Sequence, residues 1–112
     1  MNTQKKKKVL LSGMQPTGMM HLGNFEGALA NWVKLQNTGD YESYNCIVDW
    51  HSLTGKSEAK PDLPNRVYQM AADYIAGGLD PEKSTIFVQS HVKEHAELFL
   101  LQNHQLYLFL AF

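Results

Sequence analysis

One cysteine, Cys46, stands in the 112 residues, so no disulfide can close within the chain, and this usage suits a reducing compartment. It follows Asn45 at the edge of an apolar run, which reads as a buried thiol rather than a nucleophile. Long apolar runs are missing as well. The lysines at 5–8 precede only three apolar residues before Ser12, too few for a secretory leader, and the seven residues Leu106 to Phe112 are too few to span a bilayer. A soluble cytoplasmic protein with no membrane partner is the expectation. Positive charge is scarce outside the lysine cluster. Four of the ten basic residues sit there and all eleven acids lie beyond it, so residues 9–112 carry −5. Gripping nucleic acid takes a basic face, so this body is not expected to hold RNA alone, and residues 1–8 read as a solvated basic tail. Internal repeats, low-complexity stretches and a G-x-G-x-x-G fingerprint are absent.

What is present is a globular composition, 44% hydrophobic, in a length that makes one domain or less. Val9 to Met14 reads as a short buried strand. Leu22, Phe25, Ala28, Leu29, Trp32, Val33 and Leu35 recur at helical spacing up to Asn37-Thr38-Gly39. Tyr44 to Asp49 is a second buried strand, and Gly55 to Pro64 a polar loop. Val67, Met70, Ala71, Tyr74 and Ile75 form a second helical stripe closed by Gly77-Gly78. Thr85 to Gln89 is a third strand, and a third helix starts at Val92. This β-α-β-α-β order predicts a parallel sheet, the first half of a doubly wound, Rossmann-like nucleotide-binding fold. Ligands in such sheets sit beyond the carboxyl ends of the strands, here Gly13-Met14-Gln15, Val48-Asp49-Trp50-His51 and Val88-Gln89-Ser90.

The stretch from Ser12 to Asn24 carries most of the chemistry. A strand feeds a glycine-punctuated loop and then a helix N-terminus, which presents backbone N–H groups and the positive end of the helix dipole. Gly13, Gly18 and Gly23 let a bulky ligand approach the backbone. His21 and Asn24 add side chains one helical turn apart. The pattern suits phosphate handling; the plainer alternative is a tight turn with Thr17 or His21 as a helix cap.

Gln15-Pro16-Thr17-Gly18 followed by His21-Leu22-Gly23-Asn24 resembles the HIGH-type signature of class I aminoacyl-tRNA synthetases. With Ile47-Val48-Asp49-Trp50-His51-Ser52-Leu53-Thr54 and the run Gly78 to Ser90, the chain resembles tryptophanyl-tRNA synthetases over about residues 8–101. The tyrosyl family shares the plan, but Gln15 before Pro16, Asn24 closing the signature and the Val-Asp-x-His strand end favour tryptophan. A nucleotidyltransferase of similar fold would carry a second histidine where Asn24 stands. The resemblance implies that Gln15, Thr17, His21, Gly23 and Asn24 line an ATP site, with His21 and Asn24 catalytic, and that Gly13, Val48 and His51 lie beside bound tryptophan. It implies ATP with Mg2+ as co-substrate, tryptophan and tRNA(Trp) as substrates, and a homodimer. For Asp49 two roles stay open, organising its loop or positioning a polar group; Trp50 is given none.

Two further patterns are set aside. Thr54-Gly55-Lys56-Ser57 looks like the end of a Walker A loop, but Trp50 stands where its first glycine belongs. His91 and His95 lie four apart without a third ligand, so no metal site is expected. Residues 9–101 thus read as the N-terminal half of a catalytic domain. Residues 102–112 depart from the family pattern as an apolar tail, the expected mark of a frameshift, premature stop or partial gene. The KMSKS-type lysine loop, the specificity helix and the anticodon-binding domain of the family have no counterpart here. The chain reads as a tryptophan–tRNA ligase by family, inactive or weakly active alone in adenylate formation. The alternative is an inactive ATP-binding or dimer-pairing fragment.

Overall fold

The computed structural model describes the backbone of residues 6–54 and 62–110 and the side chains of 6–54 and 62–103. Strands β1 (Lys8–Met14), β2 (Tyr41–Ile47) and β3 (Ser84–Val88) form one parallel sheet in that spatial order. Lys8 pairs with Tyr41 and Met14 with Ile47 along β1 and β2, while Ser43 pairs with Ser84 and Ile47 with Val88 along β2 and β3. After β1, helix α1 (Leu22–Asn24) passes without a break into a π-helical stretch (Phe25–Leu29) and on into α2 (Ala30–Thr38). Gly39, at φ 73°, closes this continuous helix. Helix α3 (Leu63–Ala76) and helix α4 (Glu94–Leu110) complete the described elements. The β-α-β-α-β order of the sequence is the order of the fold.

The core lies on one face of the sheet, where Leu29, Trp32, Ile47, Met70, Tyr74 and Leu79 are buried together. The Trp32 and Tyr74 rings meet edge to face with centroids 5.5 Å apart. Tyr74 also donates its hydroxyl to the Cys46 carbonyl at 3.2 Å, which fastens α3 to the middle strand. At the far end of that face Gln36 ties three segments. Its amide donates to the Gly78 carbonyl, and its oxygen accepts from the Asp80 N–H at 2.9 Å and the Ser84 hydroxyl at 2.8 Å.

The opposite face is thinly covered, and here the structure departs from the sequence reading. Val9 and Leu11 are 67% and 61% exposed, so β1 is not a buried strand. It is an edge strand whose residues alternate between helix-covered and open sides, and even the covered set, Leu10, Ser12 and Met14, is only half-buried. Leu22 and Ile75 are exposed as well, within their helical stripes. Other boundaries shift by simple local rules. Leu63 rather than a residue past Pro64 opens α3, because proline fits the first turn where no intrahelical donor is needed. Strand β2 ends at Ile47, leaving Val48 and Asp49 in the loop, and Gln89 begins a 3-10 turn, Gln89–His91. His91 therefore lies in that turn and His95 in α4, not on one helix. The backbone of α4 runs on through residues 102–110. The Walker-like Gly55-Lys56-Ser57, Lys5 and the side chains of the tail beyond Asn103 lie outside the described residues.

Candidate active site

Parallel pairing puts the carboxyl ends of all three strands along one edge of the sheet, so the loops after Met14, Ile47 and Val88 are neighbours. The first is anchored at both ends. The Val48 N–H donates to the Met14 carbonyl at 2.9 Å, continuing the β1–β2 ladder one step into the loops. Pro16 is buried, and the Thr17 N–H turns back to the Gln15 carbonyl at 2.8 Å. Gly18 follows, and the chain enters α1 at His21.

His21 is the helix cap. Its backbone is extended, at φ −104° and ψ 168°, and its Nδ1 accepts from the Asn24 N–H at 3.3 Å. The plainer sequence reading of His21 as a cap is thus part of the structure, and it has a chemical consequence. A nitrogen that accepts a hydrogen bond carries no proton, so in neutral His21 the proton sits on Nε2, which becomes a donor. The imidazole is exposed at the helix start, where the first amides have no intrahelical acceptors. Gly23 leaves room for this ring: a Cβ there would lie 3.1 Å from His21 Cε1 and 3.2 Å from Nδ1. Asn24 turns its amide onto the Met14 sulfur at 3.2 Å, tying the helix start to the strand end. The π-helical stretch begins at the next residue, a feature that recurs near functional sites. Gln15 and Thr17 thus lie on the loop, and His21, Gly23 and Asn24 at the helix start that follows it.

The second group assembles less completely. Gly13 and Val48 touch across the ladder: a Cβ on Gly13 would sit 2.8 Å from Val48 Cγ2 and 2.8 Å from the Cys46 carbonyl oxygen. That carbonyl is fixed by Tyr74, so it cannot retreat. Gly13→Ala should cost about 1–3 kcal/mol of stability in urea unfolding, the usual range for overpacking, and an unchanged midpoint would show that the strands separate freely. His51 sits in the short 3-10 turn His51–Leu53, its N–H donating to Gln89 Oε1 at 3.3 Å. It lines a cavity of about 420 Å³ between the sheet and α4 with Leu11, Gln89, His95 and Phe99. Gly13 and Val48 are not in that lining. Of the two open roles for Asp49, the structure shows the organising one. The carboxylate is buried, and Oδ1 accepts the Ser90 N–H at 3.0 Å, joining the second loop to the third.

Cys46 is buried, and its thiol is pushed up to about 11, first by burial and then by the negative charge of Asp49. It stays protonated at neutral pH and is no nucleophile. A folded-state value above the unfolded one means stability that is intact below about pH 9 and is lost as pH rises toward the folded value. Urea midpoints followed through this alkaline window should fall less steeply in Cys46→Ala than in the wild type.

Gln89, already marked as part of a strand end, holds the His51 turn. Two residues of the site escaped the sequence: Asp73 of α3 accepts the Met20 N–H at 3.3 Å, and Arg66 of α3 donates to the Thr17 carbonyl at 3.3 Å. Charged residues on an amphipathic helix are commonplace, so nothing in the α3 pattern marks these two. Among the described residues no group of three or more His, Cys, Asp or Glu is placed to hold a metal ion, and no helix is long and apolar enough to cross a membrane.

A parallel α/β sheet with a glycine loop and an amide-presenting helix start at its carboxyl edge defines a Rossmann-like fold. Comparison with known proteins makes the assignment specific. The model of the class I tRNA synthetases of the tryptophan and tyrosine type matches residues 3–109. A tryptophan–tRNA ligase of Clostridium acetobutylicum is 56% identical over 91 residues, 81% of this chain and 26% of that protein. Another, of Clostridium tetani, is 47% identical over 107 residues, 96% of this chain and 31% of that protein. The crystal structure of Campylobacter jejuni tryptophanyl-tRNA synthetase superposes with a TM-score of 0.74 at 31% identity, covering 88% of this chain and 30% of that one. The same enzyme complexed with ADP and tryptophan gives 0.73 at 32% identity, covering 86% and 29%. The chain belongs to the class I tRNA synthetases, in the tryptophanyl-tRNA synthetase family, and matches the N-terminal part of its relatives. It spans about a quarter to a third of the length of the curated relatives named here. The family match continues past Leu101 to residue 109.

Proposed function

We propose that this chain supplies the ATP-binding loop and part of the tryptophan pocket of a cytoplasmic tryptophan–tRNA ligase. The observation that carries this reading is the His21 geometry: Nδ1 is occupied by the Asn24 N–H, which leaves Nε2–H free for a phosphate oxygen beside the helix N-terminus. In the family reaction the tryptophan carboxylate oxygen bonds to the α-phosphorus of ATP while the bond to pyrophosphate breaks, and the adenylate is then passed to tRNA(Trp). His21 Nε2–H, the amides of Leu22 and Gly23 and the Asn24 side chain would stabilise charge on the phosphates, with Gln15 and Thr17 lining the nucleotide. Mg2+ would arrive with ATP and neutralise phosphate charge. Gly13, Val48 and His51 would lie beside tryptophan, with the exposed His51 edge facing it.

A second reading, a fragment that binds ATP or pairs with another subunit without turnover, is supported by one observation. Strand β1 lies at the sheet edge with Val9 and Leu11 exposed, a surface suited to further protein, including a second copy in a homodimer. Tryptophan-dependent ATP–pyrophosphate exchange on the purified 112-residue chain separates the two. Exchange that disappears in His21→Ala supports adenylate chemistry here. No exchange, with ATP still bound in a His21-dependent way, supports the second reading, and ATP binding indifferent to His21 overturns both.

A further inference from the structure

Loop 15–20 is held from outside. Among the described hydrogen bonds its one internal backbone link is Thr17 N–H to the Gln15 carbonyl, and Met19 is 84% exposed. Among the described residues its remaining polar anchors both come from α3. Arg66 donates through Nη1 to the Thr17 carbonyl, and Asp73 accepts the Met20 N–H on Oδ2. These residues are seven apart, two helical turns, and so lie on one face of α3. Their signs match the groups they hold, a cation on a carbonyl and an anion on an N–H. Asp73 is itself oriented, because Oδ1 accepts from Gln69 Nε2 at 2.9 Å. A carboxylate beside an anion-binding loop is unfavourable for the ligand, so its placement is explained by what it does to the backbone.

We infer that α3 clamps the nucleotide loop, with Arg66 and Asp73 as positioning residues that preorganise the Gln15–Met20 backbone for ATP. This rests on the ATP reading above. Neither residue touches the reacting atoms; they reduce the ordering that the loop must undergo when nucleotide binds.

The test uses the full chain and two readouts, backbone amide hydrogen exchange and ATP titration, on wild type, Asp73→Ala, Asp73→Asn and Arg66→Ala. In Asp73→Ala the Met20 amide should exchange about tenfold faster, while core amides such as Ile47 keep their protection. ATP should bind about tenfold more weakly, although a negative charge has been removed. Asp73→Asn keeps an acceptor oxygen and should restore both readouts most of the way. Arg66→Ala should also speed Met20 exchange, because the two anchors restrain one segment. The inference is overturned if Asp73→Ala binds ATP as well as or more tightly than wild type, or if Met20 exchange does not change. Should Asp73→Ala fail to fold, Arg66→Ala decides by the same amide. Should wild type bind no ATP, the nucleotide reading fails while the exchange arm still decides the clamp.

Discussion

His21→Asn and His21→Ala should both weaken ATP binding by about ten- to a hundredfold, the range for losing a hydrogen bond to a charged group, but only one of them should destabilise the fold. The imidazole does two jobs with two nitrogens. Nδ1 caps the helix by accepting the Asn24 N–H, and Nε2 is left as a donor. Asparagine is a good N-cap, so His21→Asn keeps the first function and removes the second. Alanine removes both, and loss of a capping side chain costs about 0.5–2 kcal/mol. Isothermal titration with ATP and urea unfolding on the same three proteins would separate the contributions. If the asparagine variant bound ATP like the wild type, His21 would be a cap and nothing more.

Tyr74→Ala should lower the unfolding free energy by about 3–5 kcal/mol, a large part of what a domain of this size possesses. Tyr74 is fully buried, lies edge to face on Trp32 and spans the distance from α3 to the middle of the sheet. Truncation opens a cavity the width of an aromatic ring in the one face of the sheet that is well packed. Tyr74→Phe isolates the hydroxyl. The ring stays, the Cys46 carbonyl loses a buried donor, and the cost should be about 1–2 kcal/mol. Burial raises the Tyr74 phenol above its ordinary range, so its share of stability is fully present below about pH 10 and falls at higher pH. Denaturant curves for both variants would check the order. Equal losses would place the whole effect in the hydrogen bond rather than in packing.

Both predictions turn on residues that the sequence marked unequally. His21 stood out because a strand, a glycine loop and a helical stripe meet around it within a dozen residues. Tyr74 was legible only as one apolar position among several in a stripe that also contained Ile75. The stripe alone could not say that Tyr74 would be fully buried and Ile75 51% exposed. That depends on how α3 is rotated against the sheet, which Leu29, Met70 and Trp32 settle together. Val9 and Leu11 make the same point for a strand. Apolar residues in a β-α-β-α-β chain suggest burial on both faces, yet β1 lies at an edge with one side open.

By itself the sequence determined the element order, the parallel sheet and the loop that gathers Gln15, Thr17, His21, Gly23 and Asn24, because these follow from periodicity, glycine placement and contacts within a few residues. Only the tertiary structure decided how the loops are fastened. Met20 to Asp73, Thr17 to Arg66, His51 to Gln89 and Ser90 to Asp49 are hydrogen bonds across 53, 49, 38 and 41 residues of chain. No local preference encodes such a pairing. It exists because packing α3 against the sheet brings Asp73 and Arg66 to the first loop, and parallel pairing of β2 with β3 sets the second and third loops side by side, within hydrogen-bonding reach.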